Sequence, residues 1–292
     1  MDGNSIMQDI RLPYGESSLN IHLPNNLKIE IVKPKYIPGL KNQKNAVTAA
    51  LGNPIGVPPL SDLVKPSSKV GIVFSDITRA TPYNRILPAL LDELKAVPDG
   101  QITLFNATGT HMQNTREELY KILSEETANR FKIIQNNALD KKSHIYLGTT
   151  KRGTRISVLR DFMDCDIRIL TGFIEPHFFA GFSGGGKAAI PGLASMETVL
   201  ANHSVKNIDD PKANWGITEN NPVWEDIMEA AEMCMPLFLI NVALNRDKEI
   251  TGAFLKVSHS IEETIEELLD RYGNNASVYI LPEGPMTIPY IQ

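Results

Sequence analysis

Short apolar runs alternate along this chain with longer stretches in which apolar positions recur every three or four residues. Residues 70–75 (VGIVFS) form such a run, and its brevity between polar segments predicts a buried strand. A polar loop follows at 76–81. Thr81 can cap a helix with Pro82 in its first turn, and Ile86, Leu87, Leu90, Leu91 and Leu94 then share one face. Residues 102–106 (ITLFN) predict the next strand, and 107–114 a loop holding Gly109, Thr110 and His111. Thr115 and Glu118 have the spacing of a capping box, which predicts another helix. Residues 167–173 (IRILTGF) predict a third strand followed by a glycine-rich loop, and 195–202 a helix with His203 at its end.

The remainder continues the alternation. Residues 222–234 predict a helix with Val223, Ile227, Ala230, Ala231 and Cys234 inward. Residues 237–244 and 250–254 predict strands joined by a turn at 245–249. An amphipathic helix at 261–272, capped by Gly273, and a last strand at 277–281 complete the chain. Residues 20–60 carry weak signals and imply an edge hairpin, built from LNIHL and KIEIV, with a connecting segment. The whole pattern implies an α/β fold, with a mixed, largely parallel sheet and flanking helices in a single main domain. In such sheets ligands bind beyond the carboxyl ends of the strands. Asp76, Arg79, His111, His177 and Lys187 follow three such strands and are expected to converge.

Composition narrows the classes. The chain has 292 residues, 42% hydrophobic and 22% charged, which is ordinary for a globular protein. Its net charge of −5, with Lys and Arg scattered, gives no basic stripe for nucleic acid. Cys165 and Cys234 are far apart and lack C-x-x-C spacing, so a reduced, cytoplasmic setting is expected. The opening MDGNSIMQDIRLPYG has no basic-then-apolar signal pattern, and no apolar run is long enough to span a bilayer.

The densest chemistry lies in residues 177–204, HFFAGFSGGGKAAIPGLASMETVLANHS. Between His177 and His203 come Gly181, Gly184, Gly185 and Gly186, and directly after them Lys187. Glycines allow close backbone approach to a ligand. A lysine at the rim can reach a phosphate or become a covalent anchor. Imidazoles add acid/base or metal-ligand capacity. Gly181, Gly186 and Lys187 also fit the phosphate-loop pattern G-x-x-x-x-G-K, but Ala188 stands where a Mg²⁺-binding Ser or Thr belongs. A plain glycine-rich turn with a solvated lysine accounts for the glycines and leaves the histidines without a role.

Taken with Asp76-Ile-Thr-Arg79, Gly109-Thr-His111 and LNRDKEITGAF at 244–254, the run from Glu175 to His203 resembles the nickel-dependent lactate racemase family of 2-hydroxyacid racemases and epimerases. The resemblance covers most of residues 1–254. It implies a nickel-pincer nucleotide, a pyridinium-3,5-bisthiocarboxylic acid mononucleotide carrying nickel, made by cofactor-synthesis proteins and linked covalently through Lys187. It makes His203 the protein's nickel ligand, which suits a tetragonal site completed by one imidazole. His111 and His177 become the acid/base pair for the two hands of a small 2-hydroxy acid, with hydride passing to the cofactor and back. Arg79 becomes the carboxylate clamp, and Asp76 orients a histidine or that arginine. Ser183 and the amides of Gly184, Gly185 and Gly186 hold the cofactor phosphate. The alternatives are a loop ion pair for Asp76 and Arg79, loop-ordering roles for the histidines, and a helix-end role for His203.

The resemblance also carries an expected difference. Members of the family continue past the strand matching 250–254 into a second α/β domain. Here 254 runs almost directly into a segment resembling the family's extreme C terminus. The expected organisation is a catalytic and cofactor domain at 1–254, a helix–strand segment at 255–292 packing back on it, and no second domain. Turnover would then be impaired, and a non-catalytic cofactor-binding homologue is the competing reading. His22, His144 and His259 fall outside the motifs and are read as surface or structural.

Overall fold

The computed structural model describes residues 7–14, 17–24, 36–245 and 247–254. Its centre is a six-stranded sheet. In spatial order the strands are Ile250–Phe254, Leu237–Leu244, Ile167–Ile174, Val70–Ser75, Ile102–Ala107 and Lys132–Gln135. The last five run parallel, and Ile250–Phe254 returns antiparallel beside Leu237–Leu244. This is the mixed, largely parallel sheet that the sequence pattern implies.

The central strand shows why a short apolar run is buried on both sides. Ile72 and Phe74 join one core and Val73 the other, because successive side chains point to opposite faces. The first core lies under helices Gln43–Gly52 and Tyr83–Glu93, which contribute Val47, Leu51, Ile86, Leu87 and Leu90. The second lies under helix Pro222–Glu232 and the hairpin His144–Thr149 with Arg155–Leu159. Helices therefore cover both faces of the sheet, as a parallel sheet requires.

Several local expectations hold. Thr115 and Glu118 form both bonds of the capping box ahead of helix Arg116–Leu123. Ser195 caps helix Met196–Asn202, and His203 sits at its C-cap. The turn at 245–249 closes on Asn245, whose Oδ1 accepts from the amides of Asp247 and Glu249.

Other expectations are corrected. The helix after the central strand starts at Tyr83, with Pro82 at its N-cap position and no side-chain cap. The Thr81 hydroxyl lies 3.4 Å from that of Ser75 instead. LNIHL does lie in a strand, Ser17–Pro24, but its partner is Met7–Tyr14, with Ile21 registered opposite Ile10. Only Gly15 and Glu16 separate these strands in sequence, and so short a connection closes a hairpin at little entropic cost. KIEIV lies outside the described residues, as do the helix expected at 261–272 and the strand at 277–281. The expected connecting segment contains helix Gln43–Gly52, whose sequence signal is weak because it buries only Val47 and Leu51.

Candidate active site

The central strand leads to one side of the sheet and its neighbour Ile167–Ile174 to the other, so the topology reverses between them. A cavity of about 350 Å³ opens at their carboxyl ends, the place where such sheets bind ligands. Asp76, Arg79, His111, His177, Ser183, Gly184, Lys187 and His203 all line it. Residues spread over more than a hundred positions thus meet because three parallel strands deliver their loops to one edge.

The first loop holds an imidazole–carboxylate pair. Asp76 is buried, and its Oδ2 lies 2.6 Å from Nδ1 of His111. Its Oδ1 accepts from the Thr78 amide at 2.9 Å and the Thr78 hydroxyl at 2.5 Å. With the carboxylate so anchored, His111 donates from Nδ1 when neutral and keeps Nε2 as its acceptor. The Arg79 guanidinium donates instead to Glu175 Oε1 at 3.3 Å. Of the two expected roles for Asp76, the structure shows contact with the histidine.

The glycine loop is fastened from behind. Gly184 has φ of +84°, and a Cβ there would lie 2.8 Å from Asn241 Oδ1, so both conformation and space require glycine. That same Oδ1 accepts from the Gly185 amide at 2.9 Å. Ser183 donates from its amide and its hydroxyl to the Glu175 carbonyl. Gly186 is packed on helix Pro222–Glu232, where a Cβ would meet Ala231 at 2.8 Å. Gly185 and Gly186 therefore support the loop, while Ser183, Gly184 and Lys187 reach the cavity. A phosphate loop would open an α-helix here. Instead Gly185–Ala188 is a 3-10 turn, and the next α-helix begins at Met196.

The other side of the cavity is more enclosed and lined by basic groups. Phe179 packs edge-on between the rings of His177 and His203, with centroids at 4.7 and 4.9 Å. Burial, then the charges of Lys187, Arg79 and His203, push His177 down to about 3. Burial and Lys187 push His203 down to about 4. Lys187 is lowered to about 7 by burial and Arg79, against the opposing pull of Glu175. Both imidazoles are thus neutral at pH 7, and a substantial fraction of Lys187 is a free amine. His177 Nδ1 accepts the Ala180 amide at 3.3 Å, which places the proton of its neutral ring on Nε2.

Sequence reasoning missed two supports. Glu175 holds Arg79 through its side chain and Ser183 through its carbonyl. Asn241 holds Gly185 from a different strand. The readable sign of Asn241 was an amide within an otherwise apolar run, LFLINVAL. His144 is structural, as read. It is buried and bonds Asn136 Oδ1 at 3.0 Å, while Asn136 donates to the carbonyls of Gly109 and Ala194.

Fold and site together define an α/β protein with a cavity at its topological switch point, into which several ionisable side chains converge. Residues 14–216 match the lactate racemase N-terminal domain model. The chain is 34% identical over 285 residues to the lactate racemase of Thermoanaerobacterium thermosaccharolyticum, covering 95% of this chain and 67% of that protein. It is 37% identical over 262 residues to the lactate racemase of Lactiplantibacillus plantarum, covering 87% and 62%. The structure of the T. thermosaccharolyticum lactate racemase apoprotein superposes with a TM-score of 0.77 at 32% identity, over 90% of this chain and 62% of that one. A Thermotoga maritima protein shares the fold at a TM-score of 0.59 and 23% identity. The chain belongs to the lactate racemase family, and it spans about two thirds of the length of these lactate racemases.

Proposed function

We propose that this chain carries the cofactor-holding and proton-transferring half of a 2-hydroxyacid racemase or epimerase, dependent on a nickel-pincer nucleotide. The observation that carries the reading is the convergence of Lys187, His203, His111, His177 and Arg79 on one cavity.

The residues fit the cofactor chemically. Lys187 has its basicity lowered to about 7, and an uncharged amine is the nucleophile that covalent attachment needs. Among the described residues no group of three or more His, Cys, Asp and Glu could hold a metal. A metal bound at His203 would therefore bring most of its ligands with it, as a pincer carrier does. When bound, the cofactor supplies a reversible acceptor for hydride from the substrate α-carbon. Arg79 binds the substrate carboxylate, exchanging or sharing its bond to Glu175. His111, oriented by Asp76, and His177, held neutral, each take or return the hydroxyl proton for one hand of the substrate. Phe179 and the loop behind it exclude water from the enclosed side.

Intact mass tests the reading. Protein co-produced with the cofactor-synthesis proteins is expected to carry an organic adduct with nickel, and Lys187→Ala to lack it. An adduct that persists in Lys187→Ala overturns the assignment.

A further inference from the structure

Helix Pro222–Glu232 carries an acid on its buried face. Asp226 is 1% exposed and stands in phase with Val223, Ile227 and Ala230. A buried carboxylate needs hydrogen-bond donors, and Asp226 has three. Thr150 Oγ donates to Oδ1 at 2.5 Å, while Thr154 Oγ at 2.7 Å and Asn202 Nδ2 at 2.8 Å donate to Oδ2. Asn202 is equally buried and precedes His203 directly.

The carboxylate, together with the Val223 carbonyl, decides which way the Asn202 amide faces. Nδ2 of Asn202 meets Asp226 Oδ2 and, at 3.2 Å, the Val223 carbonyl. Both partners accept and the carbonyl cannot donate, so the NH₂ end must lie on that side. The oxygen end then faces His203, where Oδ1 lies 2.9 Å from Nδ1. An oxygen there can only accept, so the neutral ring must carry its proton on Nδ1. Nε2 is left as a lone-pair donor without a protein partner among the described residues, in a ring that lines the cavity.

We propose that Asp226, acting through Asn202, is a positioning residue that fixes His203 in the Nδ1–H tautomer and so presents Nε2 as the ligand nitrogen. The purpose of the relay rests on the reading of His203 as the metal ligand; the tautomer itself does not. The relay also ties the ligand to three separate elements, the 150–154 turn and the helices Met196–Asn202 and Pro222–Glu232. Partners of this kind orient a ligating imidazole and raise its basicity.

The test uses ¹⁵N-labelled apoprotein at pH 7 and two-bond ¹H–¹⁵N correlation of the imidazoles, with His203 assigned through His203→Gln. Wild type is expected to show His203 protonated at Nδ1 alone. Asn202→Leu, which keeps the shape and removes the acceptor, is expected to give mixed tautomers. Asp226→Asn is expected to add a minority Nε2–H form, because a carboxamide at 226 can offer an N–H and remove the shorter of the two bonds that hold the Asn202 amide, leaving only that to the Val223 carbonyl. A wild-type ring protonated at Nε2 overturns the proposal without recourse to any variant. So does an unchanged tautomer in either variant when its backbone spectrum shows a native fold. In cofactor-loaded protein, Asp226→Asn is expected to bind nickel about 10–100-fold more weakly. Nickel retained in His203→Ala would instead remove the metal-ligand reading, a failure distinct from that of the relay.

Discussion

The two histidines proposed for proton transfer stand in opposite surroundings. His111 is half exposed, on a loop at the mouth of the cavity, and a buried carboxylate holds its Nδ1. His177 is more enclosed, has no carboxylate partner, and lies among Lys187, Arg79 and His203. One ring is oriented by an anion, the other by an amide and aromatic neighbours. A racemase needs bases on two faces of its substrate, and under the proposed function the two are not built alike. It also places the cost of construction on one side, where three basic groups are kept short of charge.

The largest expected effect removes either base. In the cofactor-loaded protein, His111→Ala and His177→Ala should each slow α-hydrogen exchange of a 2-hydroxy acid by about 10²–10⁴-fold while nickel and adduct stay bound. Asp76→Asn should affect only the His111 side, with a smaller loss. Nickel content that follows His111 would dissolve the contrast. Next in size is an acid-limb effect on stability. His177 and His203 are lowered to about 3 and about 4, so between those values and the usual 6.5 the unfolded chain binds more protons than the folded one. Stability should therefore fall as pH drops from about 6.5, and His177→Asn with His203→Asn should flatten that fall in urea titrations. The same dependence in the double variant would locate the acid sensitivity elsewhere. The smallest effect concerns Lys187, whose lowered value makes its charge unfavourable in the fold at and below about pH 7. Lys187→Met should raise stability at pH 6 by on the order of 1–2 kcal/mol, after allowance for partial exposure. The gain should fade toward pH 10.5, where the unfolded lysine also loses its proton. A gain independent of pH would assign it to packing.

How far the site was legible depended on how local each signal was. The capping box of Thr115 and Glu118 is written within four residues and was readable. Strand ends were readable because apolar runs stop where loops begin, and those ends place Asp76, His111 and His177. The need for glycine at 184 and 186 was not, because the partners that leave no room for a Cβ there, Asn241 and Ala231, lie tens of residues away. Lys132–Gln135, an edge strand of four residues reading KIIQ, is too short and too polar for periodicity to reveal. Asp226 did leave a trace, an acid in phase with an apolar stripe, but only its three donors give the trace meaning.

The clasp of Asn241 on Gly185 also bears on the order of events on the ribosome. Every cavity residue singled out in the sequence has been synthesised by residue 203, yet the strand that pins the glycine loop is Leu237–Leu244. A nascent chain that has emerged only through 216 holds all the reactive groups and lacks the amide that sets their loop. The loop that carries Lys187 is thus set late, once its own sheet has nearly closed, and under the proposed function a half-made chain has no finished place at which to capture a cofactor.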